Sequence, residues 1–350
     1  TNFQTNDVHN FSAVLNSGAI SNLVNGSINI AAASALADQT TTINLSDEKI
    51  YIAEVASKAD IDTAADIVTA FTATNGVLDA ITVAADADAI LLVGGADDDT
   101  TQYLYGLKND NIEAIIANEV ALLATISTDI ESGIRGLTAN NFSFSINGSS
   151  ADETLTGTTF DDRIISGGGK DIVIGLAGDD IINLGSDTQT IIFSGLTADL
   201  NGTDSISVFQ SSDKFSFKNC LTDGSIANLF GNDIFLANPS LLADERIDIK
   251  VENNQIYVAE VSDANSIDTA AKVAIALTDG IGVLDAVSVN PNSEVVLILG
   301  GANDKSSQYI YGITNDNNSN LSTPEVHLMA TITTDISSGI AGLEADNIIF

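Results

Sequence analysis

Gly157-Thr-Thr-Phe-Asp-Asp162-Arg-Ile164-Ile, then Ser166-Gly167-Gly168-Gly169-Lys-Asp171-Ile-Val173-Ile, then Gly175-Leu-Ala-Gly178-Asp-Asp180-Ile-Ile182-Asn: here the chain repeats itself every nine residues. An acid recurs at Glu153, Asp162, Asp171 and Asp180. An aliphatic residue recurs at Leu155, Ile164, Val173, Ile182 and Ile191. Each unit reads as a tight Gly-rich turn followed by a very short strand. Glycine permits the left-handed backbone angles such a turn needs. The aliphatic positions stack as a ladder of core residues. The sixth-place Asp offers hard anionic oxygens of the kind calcium prefers, with loop carbonyls supplying the remaining ligands. The Gly-Gly-Gly-Lys stretch is not a phosphate loop. Ile164 stands where its first Gly should be, and Asp171 replaces the hydroxyl residue that would hold magnesium.

On these residues, about 148–192, the chain resembles the RTX family of calcium-binding nonapeptide repeats. The resemblance implies a parallel β-roll in which two nonads make one coil. Loops on one side are then eighteen residues apart, which pairs Asp162 with Asp180 and Glu153 with Asp171. It implies Ca2+ as cofactor, about one to three ions. The candidate ligands are Asp162, Asp171, Asp180 and Glu153, with Asp161, Asp179 and the loop glycines Gly167, Gly169 and Gly178. Three departures mark weak or empty outer sites. Phe160 replaces a Gly, Glu153 replaces an Asp, and the fifth unit, Leu184 to Ile192, lacks an acid at its sixth place. The resemblance also implies export without an N-terminal signal, by type I secretion, to the cell exterior or surface. The ending Asp346-Asn-Ile-Ile-Phe350 looks like some C-terminal export signals. The first copy of the long repeat described next has Asn140-Asn-Phe-Ser-Phe144 at the same place, so a last strand is the competing reading.

The chain also contains itself at a spacing of 206 residues, without a gap. Ile50-Tyr-Ile-Ala-Glu54-Val returns as Ile256-Tyr-Val-Ala-Glu260-Val, and Gln102-Tyr-Leu-Tyr-Gly106 as Gln308-Tyr-Ile-Tyr-Gly312. Val77-Leu-Asp79 returns as Val283-Leu-Asp285, and the register reaches back to Phe11/Phe217, Gly18/Gly224 and Asn22/Asn228. This divides the chain into a first module (1–144), the nonapeptide roll with its connector (145–206) and a second module (207–350). Thr1 aligns with Ser207, just past a nonad run, so the chain is expected to be a piece of a longer tandem array.

Within a module, Ile61, Ala64, Ala65, Val68 and Phe71 have helical spacing, which predicts a helix over 60–71 with a copy carrying Ile267, Ala270, Ala271, Ala274 and Leu277. Residues 49–55, 89–93, 103–107 and 120–126 read as strands of an antiparallel meander, broken by Gly/Asp/Asn turns. The fold class is mostly β or α+β: two homologous α+β modules flanking a short calcium-binding parallel β-roll.

Formal net charge is −36, from 12 basic and 48 acidic residues. That excludes nucleic acid as a partner, since phosphate recognition needs a basic footprint. Bound cations relieve such self-repulsion. No apolar run is long enough to span a bilayer. Cys220 is the single cysteine, opposite Val14, so no intrachain disulfide forms. His9 and His327 are unmatched between copies and have no metal-ligand spacing. No nucleophile elbow or Cys/His pair is present. A glycoside-cleaving acid pair would have to come from Glu54/Glu260, Asp62/Asp268, Asp79/Asp285 or Glu119/Glu325, which read more simply as turns and caps. Asp97-Asp98-Asp99 and Asn303-Asp304 in the Gly-Gly loops offer a further calcium site, but neither fits an EF-hand and a turn is the favoured reading. The expectation is therefore a non-enzymatic, calcium-dependent structural protein assembling with itself into a bacterial surface layer, sheath or filament. Cell-surface polysaccharide is a further expected partner. The rivals are an adhesin stalk and part of a secreted enzyme.

Overall fold

The computed structural model describes residues 3–4, 9–11, 19–20, 23–24, 27–30, 43–46, 49–73, 75–110, 115–130, 132–138, 141–230, 233–234, 249–277, 282–284, 287–316 and 321–350. Val14, Gly18, Asn22, Asn140 and Asp285 lie outside them. The chain is mostly β and divides into two compact units, Thr1–Phe144 and Ser145–Phe350.

In the first unit a five-stranded sheet runs in the order Val120–Ser127, Asp98–Asn109, Ala87–Gly95, Lys49–Val55, Ala19–Ile20. The first three strands form the expected antiparallel meander. Lys49–Val55 departs from it, pairing parallel to Ala87–Gly95 from Lys49↔Ala89 to Val55↔Gly95. Parallel neighbours need a long crossover, and here it carries the helix Ala64–Thr72. Ile67 and Ala70 of that helix are buried in the cluster that holds Tyr51, Leu91 and Tyr105. Ala87–Gly95 is accordingly apolar and buried along almost its whole length.

The helix starts later than its periodicity suggests. Thr63 caps it by accepting the Asp66 N–H at 3.2 Å. Lys58–Asp60 forms a separate 3-10 turn, pinned by the Asp97 carboxylate, which accepts from the Lys58 N–H and the Ser57 hydroxyl at 2.8 Å each. The Gly-Gly-loop acid thus closes a turn.

The second copy repeats these devices. Gln255–Val261 pairs parallel to Glu294–Gly301 across the helix Ala270–Ala276. Tyr105 donates its hydroxyl to the Ile61 carbonyl at 2.5 Å, and Tyr311 does the same to Ile267. The Asn109 and Asn315 amides donate to Val83 and Val289 at 2.8 and 3.0 Å. Burial pushes the Cys220 thiol up to about 12, as suits a small core residue.

In the second unit the nonads form two parallel stacks of three-residue strands. One stack is Ser145–Asn147, Arg163–Ile165 and Ile181–Asn183. The other is Thr154–Thr156, Ile172–Ile174 and Thr190–Ile192. Neither stack ends with the nonads. The first continues through Asp204–Phe209 to Val326–Thr334, within one nine-stranded sheet that includes the second copy's meander. The second continues through Lys214–Ser216 to Ile348–Ile349. Two ladders of inward residues result: Ile146, Ile164, Ile182, Ile206 and Ile332, and Leu155, Val173, Ile191, Phe215 and Ile348. They share one core with Val258 and Ile298 of the second copy. The 206/207 position falls inside the strand Asp204–Phe209, so the sequence division there has no structural counterpart. Roll and second copy form one unit. No helix among the described residues is long and apolar enough to cross a membrane.

Candidate metal centre

A parallel stack of turns leaves each turn's N–H groups facing the turn one coil away. The sixth-place side chains satisfy them. Asp180 accepts the Asp162 N–H at 2.8 Å, and Asp171 accepts the Glu153 N–H at 2.9 Å, each across eighteen residues. Asp161 and Asp179, one place earlier, use the same device nearer the surface. Asp161 accepts the Asp179 N–H and Asp179 accepts the Thr203 N–H, both at 2.8 Å. A carboxylate at these positions is thus a staple between coils through one of its oxygens.

The second oxygen distinguishes the rungs. In the first rungs it is occupied by the turn's own donors: Asp162 Oδ2 accepts from the Thr158 hydroxyl at 2.9 Å and from the Thr158 N–H, and Glu153 Oε2 accepts the Ser149 N–H at 2.6 Å. Asp171 and Asp180 are each 1% exposed, yet their Oδ2 atoms have no hydrogen-bond partner. Buried polar atoms are rarely left so, because an unpaired buried acceptor costs its full desolvation penalty.

Local backbone explains the difference. Position two of the open turns is left-handed, at Gly167 (φ 84°) and Leu176 (φ 74°), and position four is left-handed at Gly169 (φ 92°) and Gly178 (φ 106°). Thr158 and Phe160, at the same places one coil earlier, are not left-handed. A Cβ on Gly178 would lie 2.4 Å from the Phe160 carbonyl, so this close approach of turn to turn admits only glycine. Gly175 serves the cradle itself. A Cβ there would sit 2.2 Å from Asp180 Oδ2.

Electrostatics point the same way. Burial, reinforced by the neighbouring Asp204 charge, pushes Asp180 up to about 9. Burial also raises Asp204, well above the ordinary carboxylate range, and Asp213. Acids held this way need either a proton or a cation to neutralise them. Calcium fits what is present: orphaned carboxylate oxygens facing carbonyl-rich turns, a hard-oxygen environment. Among the described residues no three acids, histidines or cysteines converge on one point, so backbone carbonyls must complete any coordination shell.

Three features escaped the sequence reading. Asp204 accepts the Asp180 N–H at 3.2 Å, and Asp213 accepts the Gln189 N–H at 2.8 Å, each across 24 residues. The acid ladder therefore runs past the nonads into the second copy. The signal was present. Asp204 and Asp213 are nine residues apart and are followed at two places by Ile206 and Phe215. An insertion around the helix Ala198–Asn201 broke the count. The third is Gln189, which takes the acid's place in the ladder and accepts the Asp171 N–H at 2.9 Å. Of the histidines, His9 stacks on Phe3 at 4.1 Å, and His327 Nε2 meets the Gly202 carbonyl at 2.7 Å.

Residues 147–182 match the RTX calcium-binding nonapeptide repeat, in four copies. The chain carries an RTX repeat. RTX repeats are calcium-binding elements of extracellular-type proteins, and that coarse description applies here. The match ends at Ile182, whereas the RTX roll continues geometrically to Lys214–Ser216. A comparison with curated proteins finds no match to the chain.

Proposed function

We propose that this protein is a calcium-dependent extracellular structural protein whose modules assemble into a bacterial surface layer, sheath or filament. The observation that carries the reading is the continuity of the roll with the second copy. Both roll stacks run on into strands of that copy, over one shared core, with the orphaned Asp171 and Asp180 oxygens set between coils. Calcium held there fixes the coils to one another and hence to the module that caps them. Binding to the folded form alone stabilises it by mass action.

The repeated glutamates support a non-enzymatic role, because all four are occupied structurally. Glu119 accepts the Ile116 and Asp110 N–H groups at 2.7 and 3.1 Å, and Glu325 those of Ser322 and Asp316 at 2.6 and 3.0 Å. Glu54 pairs with Arg135, whose Nε lies at 2.9 Å, and Glu260 pairs with Lys305. The partners in this reading are further copies of the chain and cell-surface polysaccharide, reached after type I secretion.

Electron microscopy of the purified chain with calcium and with chelator tests the assembly. Ordered layers or fibres that form with calcium and dissolve on chelation are expected. Single elongated particles under both conditions would contradict the assembly and favour a spacer.

A further inference from the structure

We propose that the Gln189 carboxamide stands in for a bound cation, so that the metal-dependent part of the roll is confined to a single coil, with one calcium beside Asp171 and one beside Asp180. This rests on the calcium reading of those two acids and adds where the column of ions stops and what stops it.

Gln189 is fully buried. Half of its side chain behaves like the acids of the ladder, since Oε1 accepts the Asp171 N–H as Asp171 accepts that of Glu153. The other half is inverted. Nε2 donates to the Ser186 carbonyl of its own turn at 2.6 Å and to the Gly169 carbonyl one coil away at 3.0 Å. Shifted by eighteen residues, those carbonyls correspond to Gly168 and Ala151 in the turns of Asp171 and Glu153, and shifted by nine, to Ala177 and Phe160 in the turns of Asp180 and Asp162 on the opposite side. A carboxylate oxygen facing carbonyl oxygens is a cluster of acceptors and needs a cation between them. An amide nitrogen brings the donors itself, without burying a charge.

The remaining rungs are closed in other ways. Asp204 Oδ2 accepts from Asn201 Nδ2 at 3.2 Å, and Asp213 Oδ2 accepts the Gln210 N–H at 2.8 Å. Asp162 and Glu153 are closed by Thr158 and Ser149. Open oxygens therefore remain at Asp171 and Asp180, nine residues apart on the two sides of one coil. The turns at Gln189 and Asp213 form a metal-free base joined to the second copy, the coil 166–183 rests on that base through the Asp171 amide, and the coil 148–165 closes on the coil 166–183 when calcium arrives.

The test uses calcium titrated calorimetrically into the full, metal-stripped chain. Two ions per wild-type chain are expected, one beside Asp171 Oδ2 and one beside Asp180 Oδ2. Gln189→Asp is expected to gain a third ion and to melt at a lower temperature than wild type in chelator. Three or more ions on wild type, or an unchanged count in Gln189→Asp, would overturn the proposal. No ion on wild type would overturn the underlying calcium reading instead. Hydrogen exchange of the wild-type chain keeps the question open to decision should the variant fail to fold. The Asp171 amide, held by Gln189, should be equally protected with and without calcium. The Glu153 and Asp162 amides should lose roughly tenfold or more of their protection in chelator. Loss of Asp171 protection to the same extent would overturn the proposal.

Discussion

Asp180 concentrates the residue-scale physics. Its backbone staples it to Asp204, its Oδ1 staples Asp162, and its Oδ2 faces Gly175 with no protein donor. Burial raises its folded-state pKa to about 9, above the ordinary carboxylate value. A raised folded value means the folded chain holds the proton more tightly than the unfolded chain does. The associated stability is complete below about 4 and is lost as pH rises towards about 9. In chelator, thermal stability should therefore fall across that range. With calcium present the share of the fall due to Asp180 should vanish, because the cation needs the carboxylate ionised, while that of Asp204 and Asp213 remains. Asp180→Asn should lessen the slope of the chelator curve and remove one bound ion. Melting temperatures at a series of pH values, with and without calcium, check both. At this scale the sequence revealed the acids at 162, 171 and 180 and, through Phe160 and Glu153, set two of the rungs apart, but not which carboxylate oxygens are orphaned. Which oxygen is orphaned depends on whether Thr158 or Leu176 sets the turn, a backbone choice that residue type does not announce.

At the scale of elements, the three-residue rungs were legible because every nonad places its aliphatic at the same point of the turn-strand cycle. Ile181 and Ile182 show how sharply the pattern discriminates between neighbours. Ile182 is fully buried in the ladder, and Ile181 is 57% exposed. Ile182→Ala should cost about 2–5 kcal/mol by cavity formation, whereas Ile181→Ala should stay within about 0.5 kcal/mol. Urea denaturation of the calcium-loaded chain measures the difference. Elements fixed by distant contacts were less legible. The helix start moved from 60 to Ala64 because Asp97, far along the chain, claims the Lys58 turn. The parallel pairing of Lys49–Val55 leaves no local mark, since a strand buried on both faces reads the same in either direction. Asp204 and Asp213 were hidden by the insertion that carries Ala198–Asn201.

For the whole molecule, the 206-residue repeat needed no structure to find, and both copies build the same sheet-and-helix device. What the repeat could not convey is that the roll and the second copy are one folded body, with a common sheet and a common core. A calcium switch inside the roll is therefore mechanically continuous with that module. A formal charge of −36 adds a general bias towards cation binding, but the specific claim is local. It is that Asp171 and Asp180 hold calcium between coils. Anomalous diffraction from crystals grown with calcium tests this most directly. Two strong peaks are expected, each about 2.3–2.6 Å from Oδ2 of one of these acids. Crystals grown in ample calcium with no peak at either oxygen, and ions only at the molecular surface, would contradict it.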